Sequence, residues 1–406
     1  MNMIRNRTVH LISSNGISAT RDSSLKGLEK WGWNVSWEEA ARNIGDAAYE
    51  KSEVFPARVV EIQRSGALAV SNAHGEASIR EGRILLTGAF AEGIALPEDL
   101  PAVGDWLLVR ELDQGMPGGA DATWLPIVIL PRKSFLARKA PGSRHGDARF
   151  IQALAANVDI AVAMTACGAD FSPGRVERLL ALCHASGVNP LVLLTKTDLI
   201  QDPGTLLDEL ASVSGTTPVL GVSAATGEGV AKLQSLFKTG STIALLGSSG
   251  VGKSTLLNTL AGFSLTETSP VREGDSKGVH TTTHRELYLL NSGLIVLDSP
   301  GLREVQLWAD EADLDAVFPE IAALAFSCRF RDCRHREEPG CAVRAALKDG
   351  SLDPGRYARW RKMLQETAFL DRREDKTAAA AERAKWKTIN KAGRALRRDR
   401  ESRGMP

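Results

Sequence analysis

Gly247-Ser248-Ser249-Gly250-Val251-Gly252-Lys253-Ser254 is the stretch whose reading decides the fold. It fits the pattern G-x-x-x-x-G-K-[ST]. A short apolar strand, Thr242-Ile-Ala-Leu-Leu246, precedes it, and leucines at helical spacing follow in Thr255-Leu-Leu-Asn-Thr-Leu-Ala261. Strand, glycine-rich turn and helix are the context this pattern requires. Glycines let backbone N–H groups fold inward around a β-phosphate, Lys253 would bridge β- and γ-phosphates, and the Ser254 hydroxyl would take a place on Mg²⁺. Gly247 to Thr255 is therefore a candidate phosphate loop. A glycine-rich turn without a ligand is the bland alternative, and the flanking elements argue against it.

Around this loop, strands and helices alternate. Asp159-Ile-Ala-Val-Ala-Met164 reads as a buried strand, and Arg175 to Ser186 as a helix with Val176, Leu179, Leu180 and Cys183 on one face. A strand at Pro190 to Leu194, a helix at Thr205 to Val213, a strand at Pro218 to Val222 and a helix at Val230 to Phe237 follow. Beyond the loop come strands at Arg285 to Leu290 and Leu294 to Leu297. This is a doubly wound α/β domain, placed at residues 150–310, whose ligand should lie at the carboxyl ends of the strands.

Each suspicious motif falls at such an end. Thr195-Lys196-Thr197-Asp198 closes one strand; a carboxylate there accepts both the N1–H and the exocyclic amine of guanine, while the stem of Lys196 lies along the base. Ser223-Ala224 closes the next and offers a backbone N–H to guanine O6. A polar segment from Glu267 to Val279 leads into His280-Thr281-Thr282-Thr283, a switch in which a threonine hydroxyl meets Mg²⁺ when the γ-phosphate is present. Asp298-Ser299-Pro300-Gly301 ends the last strand, with Asp298 on Mg²⁺ through water and the Gly301 amide on the γ-phosphate. A lone K-x-D on a loop is usually a solvated turn. Five motifs in one domain, each after a strand, point to GTP with Mg²⁺. The base-reading motifs precede the phosphate loop, the reverse of ordinary GTPases, and a circular permutation accounts for that order. Leu302 stands where Ras-like enzymes orient water with a glutamine, so slow intrinsic turnover is expected.

The flanks read differently. Residues 54–131 carry five strand-length runs, Ala57 to Ile62, Ala67 to Val70, Glu76 to Ile79, Trp106 to Val109 and Trp124 to Leu130, which fit a small oligonucleotide-binding (OB) type barrel. Residues 1–53 form a polar arm followed by Trp31, Trp33 and Trp37 and a short helix at Glu38 to Ile44. Those tryptophans either pin the segment onto the next domain or stack on nucleic-acid bases. In residues 311–406, Cys328-x4-Cys333-x-His335-x5-Cys341 reads as a closed four-ligand Zn²⁺ site, with Cys333 and His335 turned to one side by an extended backbone. Five cysteines, three of them crowded there, argue for metal rather than disulfides and for a reducing compartment; Cys167 and Cys183 read as core. The tail from Arg356 to Arg403 reads as a helix holding sixteen Lys or Arg against seven Asp or Glu, with Trp360 and Trp386 interleaved. In a chain of net charge +1, that concentration is a footprint for RNA phosphates or, alternatively, a solvated basic helix. No apolar leader and no bilayer-length apolar run are present, so a soluble cytoplasmic protein with no membrane partner is expected.

With this order in hand, the chain resembles the ribosome small-subunit-dependent GTPase A family from about Leu28 to the C-terminal helix. Pro101-Ala-Val-Gly-Asp-Trp106, Ala155-Ala-Asn-Val-Asp159, Gly278-Val-His-Thr-Thr-Thr283 and the Cys328 to Cys341 spacing carry the resemblance. It implies a GTPase that binds the small ribosomal subunit and its rRNA late in assembly, is stimulated by the subunit, and cycles between GTP and GDP. It offers His280 as a catalytic residue beside Lys253 and Thr282. Thr195 stands for the asparagine of the usual Asn-Lys-x-Asp, removing the amide that ties to the phosphate loop and leaving guanine preference to Asp198. A monomer is expected. Two rival readings are a non-catalytic, nucleotide-gated RNA-binding checkpoint, kept open by Leu302, and a P-loop kinase or ATPase, opposed by Asp198 and Ser223-Ala224.

Overall fold

The computed structural model of the chain describes residues 27–367 apart from 51–52, 64–65, 73–78, 87–89, 91–98, 113–121, 140–150, 265–285 and 299–310. After helix α1 (Val35–Glu50) come five strands, β1 (Phe55–Gln63), β2 (Gly66–Ser71), β3 (Arg80–Ile84), β4 (Trp106–Glu111) and β5 (Ala122–Ile129). They pair in the order β1-β2-β3-β5-β4, and antiparallel pairing of β4 with β1 closes an OB-like barrel. Period-two side chains fill it: Ala57, Val59, Ala67, Ala69, Leu107, Val109 and Trp124 all point inward. The third strand lies later than the expected Glu76 to Ile79, of which 76–78 fall outside the described residues. Its sequence, Arg-Glu-Gly-Arg-Ile, hides the pattern because one inward position is Gly82, where a Cβ would stand 2.5 Å from the Trp124 ring.

Of the two readings of the tryptophans, the structure supports the pinning one for Trp33 and Trp37. Both are buried, with ring centroids 4.7 and 6.3 Å from that of Trp106 on β4, and α1 is longer than expected. Arg58 on β1 fastens the same corner. Its guanidinium donates to the Trp31 carbonyl and, at 2.7 Å, to Thr242 Oγ1. Burial pulls its pKa down to about 10, so it stays a cation at neutral pH.

A hairpin absent from the sequence reading, β6 (Phe135–Lys139) with β7 (Ile151–Ala156), precedes the α/β part. Next come β8 (Ile160–Ala166), α2 (Pro173–Ala185), β9 (Asn189–Thr195), α3 (Gly204–Ser214), β10 (Val219–Gly221), α4 (Val230–Ser235), β11 (Thr242–Leu246), α5 (Lys253–Ala261), β12 (Glu286–Leu289) and β13 (Ile295–Asp298). The sheet order is β10-β9-β8-β11-β13-β12, parallel except for β12. Alternation along the strands builds two cores. Ile243 and Leu245 face α4 and α5 through Val230, Leu233, Leu256 and Leu260. Ala244 and Leu246 face the other side, where α2 brings Cys183 and also Val176, Leu179 and Leu180, these three each worth about 1.5–3 kcal/mol when fully buried. At the strand margin, a left-handed Asn157 takes the Lys133 N–H on Oδ1 and donates Nδ2 to the Gly104 carbonyl, joining barrel to sheet.

Helices α6 (Glu311–Val317), α7 (Pro319–Phe326) and α8 (Ala342–Asp349) and a helix, α9, over residues 354–367 extend the α2 core through Leu314, Phe318, Val343 and Trp360. This changes the reading of the tail. Its first residues turn inward: Trp360 is buried, and Arg356 donates to Glu177 (2.8 Å), Glu320 (2.5 Å) and the Val317 carbonyl (2.8 Å). They are therefore packing residues, since a buried guanidinium meeting carboxylates has no face left for RNA. Residues 368–406, including Trp386, lie outside the described residues.

Candidate nucleotide site and metal centre

The parallel strands put their carboxyl ends on one edge, and the loops that leave them meet there. Gly252 adopts φ +106°, a left-handed turn that a side chain would strain, and α5 begins at the next residue with no side chain capping its N-terminus. Helix-end N–H groups beside a lysine suit a polyphosphate. Lys253 Nζ donates to the carbonyls of Gly247 (2.9 Å) and Ser248 (2.6 Å), while Ser249, Gly250, Ser254 and Thr255 are exposed at the mouth and Val251 is buried beneath.

The loops after β9 and β10 close against this one. Thr195 Oγ1 lies 2.5 Å from the Val251 carbonyl oxygen and 3.2 Å from that of Thr165. The expected loss of the tie between base-side loop and phosphate loop is thus corrected: the threonine hydroxyl makes it. Lys196 is left-handed at φ +57°, which turns the chain so that Asp198 is exposed while Thr197 is buried, its amide 3.4 Å from the Val222 carbonyl. Ser223 is buried and caps its own turn by accepting from the Thr226 amide at 3.1 Å; the Ala224 carbonyl accepts from Thr259 of α5 at 3.2 Å. Asp198 is felt at Cys167: burial first, then that carboxylate, pushes the thiol up and keeps it neutral.

Thr195 to Asp198, Ser223, Ala224 and the whole 247–255 loop therefore share one edge. Asp298 ends β13, the strand beside β11. His280, Thr281, Thr282, Gly301 and Leu302 lie outside the described residues. Two residues at the phosphate loop escaped the sequence reading. Asp170 Oδ2 accepts from Ser248 Oγ at 2.6 Å, and Arg175 Nη1 sits 3.2 Å from the same hydroxyl. The strand-end rule that marks the other motifs also marks Asp170, just past the end of β8, whereas Arg175 lies within α2 and carries no such signal.

A second centre lies after α7. The ligand atoms of Cys328, Cys333, His335 and Cys341 all fall within 4.8 Å of one another, with His335 Nδ1 3.5 and 3.4 Å from the sulfurs of Cys328 and Cys341, and those sulfurs 3.9 Å apart. A tetrahedral ion with about 2.3 Å bonds to sulfur and 2.0–2.1 Å to nitrogen needs separations of this size, so the donors fit a Cys₃His metal site. The backbone differs from expectation: His335 is left-handed at φ +55°, not extended, and the turn rather than strand alternation aims its ring. Tyr357 Oη holds the His335 carbonyl at 2.9 Å. No helix among the described residues is long and apolar enough to cross a membrane.

A phosphate loop with the base-side loops earlier in the chain yet on the same sheet edge defines the circularly permuted P-loop GTPases. Residues 129–308 match the family model described as RsgA GTPase. A protein of Opitutus terrae named small ribosomal subunit biogenesis GTPase RsgA is 43% identical over 353 residues, covering 86% of this chain and 94% of that one. The chain belongs to the RsgA GTPase family. Two crystal structures share the fold at 23% identity: YloQ, titled a circularly permuted GTPase (TM-score 0.53, covering 78% of this chain and 95% of that one), and YjeQ from Thermotoga maritima (TM-score 0.54, 78% and 99%).

Proposed function

We propose that this chain hydrolyses Mg-GTP while bound to the small ribosomal subunit late in its maturation, and leaves when the γ-phosphate is gone. The observation that carries the reading is the Thr195–Val251 contact, which brings the guanine-side loop and the phosphate loop into one site. In this reading Asp198 accepts the guanine N1–H and amine, Ser223 and Ala224 border O6, and residues Gly247 to Thr255 wrap the phosphates. Lys253 neutralises charge on the γ-phosphate, Ser254, Thr281, Thr282 and Asp298 hold Mg²⁺, and the Gly301 amide senses the γ-phosphate. His280 directs water once the subunit is bound, which would offset the non-polar Leu302.

The working parts divide as a barrel (54–131), a GTPase domain (150–310) and a zinc-bearing helical domain (311–406), with Zn²⁺ as the ion for the Cys₃His donors and rRNA as the surface met by the barrel and basic tail. The protein acts as a monomer in the cytoplasm. The deciding experiment measures GTP hydrolysis with and without purified small subunits, beside a Lys253→Ala control. Stimulation of at least about a hundredfold by small subunits and not by large ones supports the reading. Subunit binding without stimulation would reject the catalytic part.

A further inference from the structure

We propose that Asp170 and Arg175 are positioning residues for GTP hydrolysis, holding the phosphate loop from outside through Ser248; the inference rests on reading Gly247 to Ser254 as that loop. Nothing in the pattern G-x-x-x-x-G-K-[ST] calls for a serine at 248. Here its hydroxyl donates to Asp170 Oδ2 at 2.6 Å and accepts from Arg175 Nη1 at 3.2 Å, and the two charged groups pair with each other at 2.6 Å. The carbonyl of the same residue accepts from Lys253 Nζ at 2.6 Å. One residue thus links the charged pair to the lysine that meets the phosphates.

Arg175 is engaged where it stands. Its Nη1 also lies 3.2 Å from the Asp170 carbonyl, so the guanidinium braces the loop after β8 rather than reaching into the mouth of the site. That loop is held elsewhere too: Thr165 Oγ1 donates to the Asp170 carbonyl at 3.0 Å and accepts from the Ser172 amide at 3.1 Å, and Ser172 caps α2 by accepting from the Arg175 amide at 3.3 Å. Further along α2, the fully buried Glu177 binds Arg356 and Arg359 at 2.8 and 2.7 Å. The platform under Ser248 is therefore stiff, with α2 clamped at the phosphate loop and again at the C-terminal helix. Asp170 and Arg175 are partly exposed, at 28% and 38%, so as an isolated ion pair they would contribute little. Their effect comes through the fixed position of Ser248, because misplacing a reacting group by even an ångström costs rate steeply.

The test compares single-turnover GTP hydrolysis, affinity for a fluorescent GDP analogue and thermal midpoint for the full chain and for Asp170→Asn, Arg175→Ala, Arg175→Lys, Ser248→Ala and the Asp170→Asn/Ser248→Ala double variant, with Lys253→Ala as control. The expected result is a rate about tenfold lower in Asp170→Asn and Ser248→Ala, affinity within about threefold, partial recovery in Arg175→Lys relative to Arg175→Ala, and no further loss in the double variant. Ser248→Ala removes one oxygen and keeps the test independent of folding. Rates within about twofold of the parent, or additive losses in the double variant, overturn the proposal. Undiminished hydrolysis by Lys253→Ala overturns instead the reading of the phosphate loop, and the proposal with it.

Discussion

The Thr195 hydroxyl lies 2.5 Å from the Val251 carbonyl oxygen, so a residue at the end of β9 is bonded directly into the phosphate loop. Thr195→Val keeps the shape and removes the hydrogen bond, leaving a buried carbonyl without that donor. An unmade bond of this kind costs about 1–3 kcal/mol. Affinity for GDP should fall roughly five- to a hundredfold, whereas Thr195→Asn, which restores a donor, should stay within about threefold of the parent. Titration with a fluorescent guanine nucleotide measures both. Equal affinities in Thr195→Val and the parent would show the contact to be idle.

Glu177 has no exposed side-chain surface and serves Arg356, itself nearly buried, and Arg359. Removing one partner of a buried pair costs about 3–5 kcal/mol when the other charge is left stranded. Arg356 keeps the part-exposed Glu320, so Glu177→Ala should lower the unfolding free energy by up to about 3 kcal/mol in chemical denaturation. Arg359→Ala should cost far less because its guanidinium is about one-third exposed and solvent screens it. A negligible loss in Glu177→Ala would mean that apolar packing and the Arg178–Glu366 pair hold α2 to the C-terminal helix without it.

The Cys₃His donors predict one bound Zn²⁺ per chain, released by chelation or by Cys333→Ser. Metal loss should expose the amides of 328–341 and α8 to hydrogen exchange, while affinity for guanine nucleotide stays within about threefold, since the two centres use separate residues. Metal-free protein with unchanged exchange in that segment would contradict the structural role.

Glu338 closes the turn between His335 and Cys341. Its carboxylate accepts the amides of Arg334, Arg336 and Glu337 at 3.1, 2.7 and 3.0 Å. Backbone N–H groups, its own foremost and then those of Arg336, Arg334 and Glu337, hold its pKa down at about 2. Because the folded value lies below an unfolded value of about 4.3, the stability it contributes is complete above that pH and disappears as pH falls through 2. A carboxyl NMR titration should place its midpoint near 2, and a midpoint near 4 would show that the turn does not hold the group.

Much of this was legible beforehand because the informative signals are local. The 247–254 loop, the strand–helix alternation and the cysteine spacing each sit within a few residues, and elements found from periodicity lie close to where they were expected. The β6–β7 hairpin escapes a local reading because Ile151-Gln-Ala-Leu-Ala-Ala156 is rich in good helix formers and its partner strand ends as far back as Lys139. The Glu177–Arg356 pair joins residues 179 apart, and nothing near either one announces the other. Thr195 was misjudged for a different reason: comparing it with asparagine counts the lost amide but not the reach of a hydroxyl from the end of a strand. His335 shows the limit of alternation rules in a turn.

Among the described residues, strand β1 of the barrel meets β12 of the nucleotide-side sheet at one register position, Glu61 opposite Glu286. Like charges across a rung weaken it, and Glu286 follows directly on the segment that carries His280 to Thr283. The two ends of the molecule are fastened to the sheet by different chemistry. Shifting the C-terminal helices against α2 means tearing a buried carboxylate from two guanidiniums. The barrel is joined to the sheet by that rung, by the polar contacts of Arg58 and Asn157, and by a shared apolar core in which Val60, Val70 and Val103 meet Leu136, Leu154 and Leu287. The metal-bearing end is locked by charges buried within its apolar seam, whereas the barrel is seated mainly on apolar packing with Arg58 as its one buried guanidinium among the described residues at that corner.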